Sequence, residues 1–486
     1  MFDITIIGCG IVGAAAAYEL AKYNVNVVVL EKENDVAVAT TKANSAIIHA
    51  GYDPAHGTLM AKLNVEGARL AKEICKNLDV PYRQCGALVL AFSQEEVAAL
   101  ETLLENGIKN GVEGLRILDR AGVLALEPGI SGHVVAALYA PTTAIVSPWE
   151  YGLALAETAV QNGVTLHRDC EVVAIQKTPM GYTLQTNNIN EDTGEIHTRA
   201  VINAAGLYAD KIHQMANPHS FAILPDRGEY FLLDKSEGAR VKHVIFQAPS
   251  KVGKGILVAP TVHGNLIVGP NSEPVDCRDN VATTAQGQTF VKNLAQKSVP
   301  DINFGANIRN FAGNRAKTDR KHARDFIIET AQPGFINLAG IASPGLSAAP
   351  AIAKMMVELL QAGGMPLQAK QNFTPRRRRV RFNELSPLEK AALVAKNPAY
   401  GAVVCRCETV TEGEINDALN APIPPKSVDA VKRRCGPGMG RCQGGFCSPR
   451  VLEMLAAHYA CSPLDIVQDS AGSHVLEYEM GGCRCE

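Results

Sequence analysis

Four cysteines of this chain are paired by spacing: Cys405-x-Cys407 and, after 34 intervening residues, Cys442-x-x-x-x-Cys447. In an extended segment side chains at i and i+2 share a face, so Cys405 and Cys407 can reach one metal centre. The second pair lies in GMGRCQGGFCSPR, where glycines let backbone N–H groups come close to sulfur. By count alone four thiolates hold zinc as well as an iron–sulfur cluster. The C-x-C opening lacks the paired C-x-x-C knuckles usual in structural zinc sites, which favours iron and sulfide. Cys435 falls outside the spacing and reads as a spectator, and Cys9 reads as a small packed residue.

A second constellation opens the chain. Residues 3–31 read DITIIGCGIVGAAAAYELAKYNVNVVVLE: an apolar strand, Gly8-x-Gly10-x-x-Gly13, an Ala-rich helix, a second strand and Glu31. Gly8 makes a tight turn, Gly10 lets backbone approach a pyrophosphate, and Gly13 allows close helix–strand packing. The phosphates sit on the free N–H groups at the positive end of the helix. Glu31 accepts from a ribose diol, which points to FAD or NAD rather than a 2′-phosphorylated nucleotide.

Segments beyond this first unit favour FAD. Thr40, Thr41, Asn44 and Ser45 stand in a loop of small residues that could lie along an extended cofactor, and it runs on to His49. Ala205 and Gly206 end a buried strand. Ser343-Pro344-Gly345-Leu346-Ser347 opens a helix whose free N–H groups suit the negative charge on a reduced flavin's N1–C2=O edge; the same pattern also suits a merely capped helix. A two-electron flavin benefits from a one-electron outlet, which again favours an iron–sulfur centre.

The elements that must position these residues come in blocks. The 486-residue length predicts two to four domains. Residues 1–79, 145–214 and 326–365 carry the α/β pattern of a nucleotide domain, with the strand, Gly340 turn and apolar helix of 334–360 completing it. Residues 80–144 and 215–325 look β-rich and read as an inserted substrate domain, including a hairpin that turns at His263-Gly264-Asn265. Residues 366–399, with an arginine-rich run at 376–381, read as a solvated basic linker. Residues 400–460 form the cysteine-bearing unit. Residues 461–486, with Cys483 and Cys485, read as a tail without packing signals.

Net charge is −2 with 20% charged residues, so no strong pull toward nucleic acid or membrane is visible. No apolar run reaches the roughly 20 residues of a spanning helix. The glycine motif begins at residue 3, leaving no room for a leader, and the chain is expected to be cytoplasmic. Thirteen cysteines in that compartment point to metal or redox chemistry rather than disulfides.

The segments GCGIVG (8–13), TTKANSAIIHAGYDP (40–54), AKLNVEGA (61–68), RGEYFLLDK (227–235), KGILVAPTVHGNLIVGPN (254–271), FAGNRA (311–316) and GIASPGLSAAPAIA (340–353) resemble the D-amino-acid-oxidase-type flavoprotein superfamily. Within it the chain most resembles FAD-dependent glycerol-3-phosphate dehydrogenases and oxidases. VVCRCETVTEGEI and GMGRCQGGFC resemble the bacterioferritin-associated-ferredoxin-type [2Fe-2S] domain found in anaerobic-type enzymes of that group. The resemblance implies an α/β plus α+β architecture: a Rossmann-type FAD-binding domain, an inserted antiparallel-sheet substrate domain and a small C-terminal [2Fe-2S] domain.

It also implies roles. Cys405, Cys407, Cys442 and Cys447 become the cluster ligands. His49 becomes the catalytic base near the flavin, where imidazole chemistry suits removal of an alcohol proton; outside that motif it reads as a strand-capping histidine. Arg315 becomes the substrate-contacting guanidinium near Ser343, suited to a bidentate phosphate or carboxylate. Lys254 and Arg227 are further substrate candidates, Lys254 against the alternative of a solvated turn. Val172, Ala205, Gly206, Gly340, Gly345, Leu346 and Ser347 complete the cofactor contacts.

The reading is oxidation of sn-glycerol 3-phosphate to dihydroxyacetone phosphate, with electrons passing through FAD and [2Fe-2S] to a partner. No second glycine motif for NAD is present, so the partner is expected to be a separate flavoprotein subunit, in an oligomer or hetero-complex. The rivals are a 2-hydroxyacid dehydrogenase or an amine or opine oxidase on the same scaffold, and a non-catalytic redox adaptor.

Overall fold

Phe2–Ile7 and Val27–Leu30 are apolar without polar alternation at their C-terminal ends, the pattern of parallel strands covered on both faces, and they pair in parallel. The computed structural model describes residues 1–188, 191–249, 255–319 and 325–478, with backbone alone at 188 and 191–193. By its internal contacts the chain divides into two units, Met1–Leu30 with Ala37–Arg377 and Glu31–Val36 with Arg378–Glu486.

In the first unit these two strands belong to an eight-stranded sheet. Phe2–Ile7 also pairs in parallel with Glu191–Asn203, bringing Ile7 opposite Asn203. Phe335–Ala339 pairs in parallel on the far side of that strand. Helices Ile11–Leu20, Leu59–Asn77, Pro148–Gln161 and Gly345–Ala362 pack together beside it. Alanines make this possible: Ala14, Ala15, Ala16 and Ala17 are all buried, and short side chains bring helix axes close. At Gly67 an added Cβ would stand 2.3 Å from the Ser347 carbonyl oxygen, so the helices Leu59–Asn77 and Gly345–Ala362 are in backbone contact there.

A second, nine-stranded sheet draws its strands only from residues 87–140 and 223–318. Its pairings are antiparallel except where Val244–Gln247 runs parallel to Ala87–Ala91. The long strands Ile223–Leu233 and Asn307–Thr318 pair over eleven positions. The hairpin Leu257–Pro260 / Leu266–Gly269 turns through Gly264 at φ +86. These stretches also hold helices Gln94–Lys109, Arg120–Leu126 and Ala285–Ser298, each started by a side-chain cap from Ser93, Asp119 or Thr284. The caps, more than the composition, were the readable sign of them.

The second unit packs four helices, Pro387–Lys396, Glu412–Leu419, Val428–Cys435 and Ser448–Tyr459, with a short antiparallel pair, Val403–Cys405 and Val410–Thr411. Ser386 with Glu389 and Thr411 with Glu414 form capping boxes. Ile415, Val431 and Leu455 are fully buried in its core. Asp35 is buried against Arg434 at 2.8 Å and Arg433 at 2.9 Å. Burial alone would raise its carboxyl, but the two guanidinium groups hold it far below the usual range.

Two expectations need correction. The stretch 366–399 is not a solvated linker throughout. Arg377 is buried with its Nε 2.5 Å from Glu157 Oε2, because a buried carboxylate needs a cation, and 387–396 is helical. Nor are residues 461–478 a free tail: Ile466 is buried, Val467 bridges Ser427, and Asp469 pairs with Arg433 at 2.7 Å. Lys254, Cys483 and Cys485 lie outside the described residues. Among the described residues no helix is long and apolar enough to cross a membrane.

Candidate functional site

Gly8 ends the first strand at φ +94, and a Cβ there would lie 2.7 Å from the Ala204 carbonyl oxygen. A Cβ on Gly13 would lie 1.9 Å from the Gly8 carbonyl oxygen, so the helix is pressed onto the turn. Gly10 differs, since the nearest atom to its would-be Cβ is Thr41 Oγ1 at 3.3 Å. The helix has no side-chain cap from its first flanking residue; Thr41 Oγ1 accepts the Ile11 N–H at 2.9 Å. An open glycine backbone at a helix start is what a pyrophosphate requires. Glu31 comes directly after Val27–Leu30 and is buried, with Oε1 accepting the Glu33 N–H at 3.0 Å.

The glycine turn opens on a cleft. Gly10, Thr40, Thr41, Asn44, Ser45 and Gly206 line it, as do Ser343, Gly345 and Leu346. Thr40 is anchored through its hydroxyl to the Asn314 carbonyl at 2.7 Å. Asn44 ties the loop to itself, donating to the Thr41 carbonyl at 2.9 Å and accepting from the Ala46 N–H at 2.8 Å. Gly8, Gly13 and Ser347 do not themselves line the cleft. Val172, Ala205 and Gly340 do not line it: Val172 is buried within the core packed around Ile7 and Val28, and Gly340 ends Phe335–Ala339 at φ +65.

His49 and Arg315 share this cleft. His49 comes after the short strand Ile47–Ile48, and its backbone N–H donates to Ser347 Oγ at 2.8 Å. Its carbonyl accepts from Asn64 Nδ2 at 3.3 Å, and its ring stacks on Phe246 with centroids 5.9 Å apart. The histidine backbone is thus fixed to two helices. Arg315 Nη1 donates to Asp226 Oδ1 at 2.6 Å, and Nη2 donates to the Asn271 carbonyl at 3.1 Å. Lys317 reaches the other Asp226 oxygen at 2.7 Å. Burial opposes ionisation of Asp226, but Lys317 and Arg315, with a hydrogen bond from Ser272, hold its carboxyl below the usual range. Two cations to one carboxylate leave a net positive charge.

Strand alternation decides which neighbours join them. Asp226, Gly228 and Tyr230 face Arg315, whereas Arg227 and Glu229 face away. The expectation that Arg227 serves substrate is therefore corrected: it is buried outside the cleft, 2.8 Å from Glu273 and 3.5 Å from Glu229. Tyr230, absent from the residues singled out in sequence, lines the cleft, with its hydroxyl 3.2 Å from Ser45 Oγ. Burial pushes its phenol up from the ordinary value. Period-two reading of RGEYF from Arg315's partner would have found it.

In the second unit Cys407 Sγ and Cys442 Sγ are 3.6 Å apart, and Cys405 is hydrogen-bonded to Cys447. Cys405 and Cys447 are buried, Cys442 is partly covered and Cys407 is exposed. The Cys405 thiol is drawn down to about 6, first by Cys447, against burial, and further by the N–H groups of Gly438, Glu408 and Cys407. At Cys442 burial opposes the thiolate, while Cys407 and the N–H groups of Gly444, Phe446 and Gly445 favour it. Among the described residues the four thiols stand as two pairs, Cys405 with Cys447 and Cys407 with Cys442, an arrangement open to either kind of centre by its donor set alone. Cys435 turns away, its Sγ on the Val431 carbonyl.

Residues 3–359 match the FAD dependent oxidoreductase family, and residues 403–457 match the BFD-like [2Fe-2S] binding domain. The second match decides between zinc and [2Fe-2S]. The chain is 50% identical over 479 residues to a glycerol 3-phosphate dehydrogenase of Caloramator mitchellensis, covering 98% of both chains. It is 35% identical to a glycerol 3-phosphate oxidase of Mycoplasma genitalium, across 77% of this chain and 97% of that one. In three dimensions it is similar to the FAD-bound L-alpha-glycerophosphate oxidase of Mycoplasma pneumoniae, with TM-score 0.73, 33% identity, and 77% and 98% of the two chains covered.

Proposed function

The chain belongs to the FAD dependent oxidoreductase family, and from that premise we propose that it oxidises sn-glycerol 3-phosphate at C2 to dihydroxyacetone phosphate and passes the electrons to a partner protein. Its cofactors are FAD and [2Fe-2S], and it is an oxidoreductase of the glycerol-3-phosphate dehydrogenase type.

The observation that carries the reading is one cleft lined by both His49 and Arg315, beside the open glycine turn. A secondary alcohol loses its O–H proton as its C–H hydride departs, and a neutral imidazole suits that proton. His49 takes it, held by Ser347 Oγ and Asn64 through its backbone. Arg315 binds the phosphate through N–H groups not taken by Asp226 and Asn271, and the positive excess of Arg315 and Lys317 over Asp226 attracts the dianion. Ser343 is exposed at the mouth of the cleft and adds a hydroxyl donor to the anion. Tyr230 and Ser45 keep the guanidinium wall in place. Bound FAD would supply the two-electron acceptor and [2Fe-2S] the one-electron outlet; the glycine turn and Thr41 would hold the first and the four cysteines the second.

A panel of candidate substrates scored by flavin bleaching under argon tests this. Glycerol 3-phosphate should bleach the flavin and release dihydroxyacetone phosphate. Bleaching by 2-hydroxyglutarate or an amino acid instead would replace the substrate. Bleaching by no metabolite, with normal reduction by a protein donor, would make the chain an adaptor.

A further inference from the structure

Arg315 lines the cleft from the strand Asn307–Thr318, whereas Gly206 lines it from the turn that follows Glu191–Asn203. These two strands belong to different sheets, so no ladder of backbone hydrogen bonds joins them. Side chains join them instead. Asn314, next to Arg315 and turned to the opposite face of the strand, is 2% exposed. Its Nδ2 donates to the carbonyls of Arg278 at 2.8 Å and Asn280 at 3.1 Å. The Arg278 guanidinium in turn grips the residues after Gly206. Its Nη1 donates to the Leu207 carbonyl at 2.6 Å and to Asp210 Oδ1 at 2.5 Å, and its Nη2 donates to Asp210 Oδ2 at 2.7 Å.

Asp210 is the node of this frame. It is 2% exposed, and besides its pair with Arg278 it accepts the Ile223 N–H at 3.0 Å. Ile223 begins the strand Ile223–Leu233, which carries Asp226. Burial opposes ionisation of Asp210, while hydrogen bonds from Arg278 and Ile223 hold its carboxyl below the ordinary range. A bidentate guanidinium–carboxylate pair is directional, so it resists sliding as well as separation. One further tie reaches the loop of small residues: the Asn314 carbonyl accepts from Thr40 Oγ1 at 2.7 Å, and Thr40 lines the cleft. Both strands of the substrate wall are thus tethered by side chains to the Gly206 turn, and the Arg315 strand to the Thr40 loop as well. Neither Arg278 nor Asn314 lines the cleft itself.

We propose that Arg278 and Asn314 are positioning residues for the oxidation: they hold the Arg315 strand against the Gly206 turn, so that a substrate anchored on Arg315 presents its C2 hydrogen to the flavin. The inference rests on the function proposed above and adds the residues that set its geometry. Hydride transfer needs reacting atoms roughly 3–3.5 Å apart, and a misplacement of about 1 Å costs on the order of 10²-fold in rate. Loosening the frame therefore slows the chemical step while Arg315, still paired with Asp226, goes on binding the anion.

The test uses the full chain purified with its cofactors. Stopped-flow bleaching under argon gives the limiting rate of flavin reduction and the apparent Kd for glycerol 3-phosphate separately. Arg278→Ala and Asn314→Leu should each lower the limiting rate about 10- to 100-fold. The apparent Kd should stay within about threefold of the parent, the signature of an interaction that serves the transition state and not binding. Arg278→Lys keeps the charge but loses the fork, and its rate should fall between those of the parent and Arg278→Ala. In the flavin-free protein the same variants should speed amide hydrogen exchange in residues 206–212 and 275–283 by roughly threefold or more, because the ties lie within the chain itself. Where Arg278→Ala does not fold, because Asp210 is left buried without its cation, Arg278→Lys and Asn314→Leu carry the test. An unchanged limiting rate, a raised Kd with an unchanged rate, unchanged exchange, or loss of FAD in every variant would each overturn the inference. A parent bleached by glycerol 3-phosphate with variants that behave like it sinks the positioning role alone. A parent bleached only by another compound sinks the function reading, and the variants are then read with that compound. If no compound bleaches the parent, both fall.

Discussion

Asp226 sits directly across the antiparallel ladder from Arg315, and the two side chains meet at 2.6 Å on the face of the sheet that lines the cleft. The pair does two things at once. It holds the guanidinium rigid, and it takes up part of its hydrogen-bonding capacity, which leaves the remainder for a ligand.

Arg315→Ala should raise KM for glycerol 3-phosphate by roughly 10- to 100-fold, the equivalent of about 1.5–3 kcal/mol for a charged hydrogen bond. The melting temperature should change less, because Lys317 still pairs with Asp226. Steady-state kinetics and thermal melts decide: an unchanged KM with a collapsed melting temperature would leave Arg315 a purely structural partner of Asp226.

Asp226 also carries a pH signature. Its carboxyl is depressed in the folded protein, so its stabilising contribution is present above the unfolded carboxyl value of about 3.9 and is lost as pH falls through the lower folded value. The melting-temperature gap between the parent and Asp226→Asn should therefore be widest near neutrality and narrow below about pH 4. A gap that is constant with pH would mean that the carboxylate's charge is not what stabilises.

His49→Ala should slow flavin reduction by substrate by roughly 10²- to 10⁴-fold, the usual range for a lost general base. FAD content should stay near that of the parent, because the contact to Ser347 is made by backbone N–H, which alanine retains. Stopped-flow bleaching reads the rate; reduction within a few-fold of the parent would make His49 a structural residue.

Gly10 and Gly13 should respond differently to the same added methyl group. Gly10→Ala meets one atom in the free protein, Thr41 Oγ1 at 3.3 Å, a tight contact that the threonine side chain must relieve by a small shift, so the protein should fold but purify with little flavin. Gly13→Ala places carbon 1.9 Å from the Gly8 carbonyl oxygen and should lower the melting temperature of the flavin-free protein. If both variants retain FAD and melt like the parent, the turn does not hold the pyrophosphate.

Cys442→Ser should remove iron and labile sulfide while leaving FAD bound, since the glycine turn and Cys442 belong to different units. Absorption spectra with iron, sulfide and zinc analysis report both cofactors. One zinc and no sulfide in the parent protein would contradict the cluster assignment.

Local motifs were legible because their physics is local. The glycine turn needs three positions within one strand–helix connection, and the cysteine pairs need two short segments. His49 and Arg315 were legible only through the longer segments around them, for neither has a local signal strong enough to tell catalysis from packing. The helices capped by Ser93, Asp119 and Thr284 were missed in a β-rich reading because the buried apolar strands beside them dominate the composition.

What the chain determined by itself was the order of its elements, the nucleotide turn and the thiolate set, since each depends on residues close in sequence. Only the tertiary structure decided the substrate wall. Register between Ile223–Leu233 and Asn307–Thr318 sets Asp226 opposite Arg315 and, through the two-residue period of the strand, turns Tyr230 into the cleft and Arg227 out of it. It likewise decided that Arg377, within a run of arginines, is the buried partner of Glu157. Pairing between residues dozens to hundreds of positions apart is set by sheet register and burial, and no short stretch of sequence carries that information.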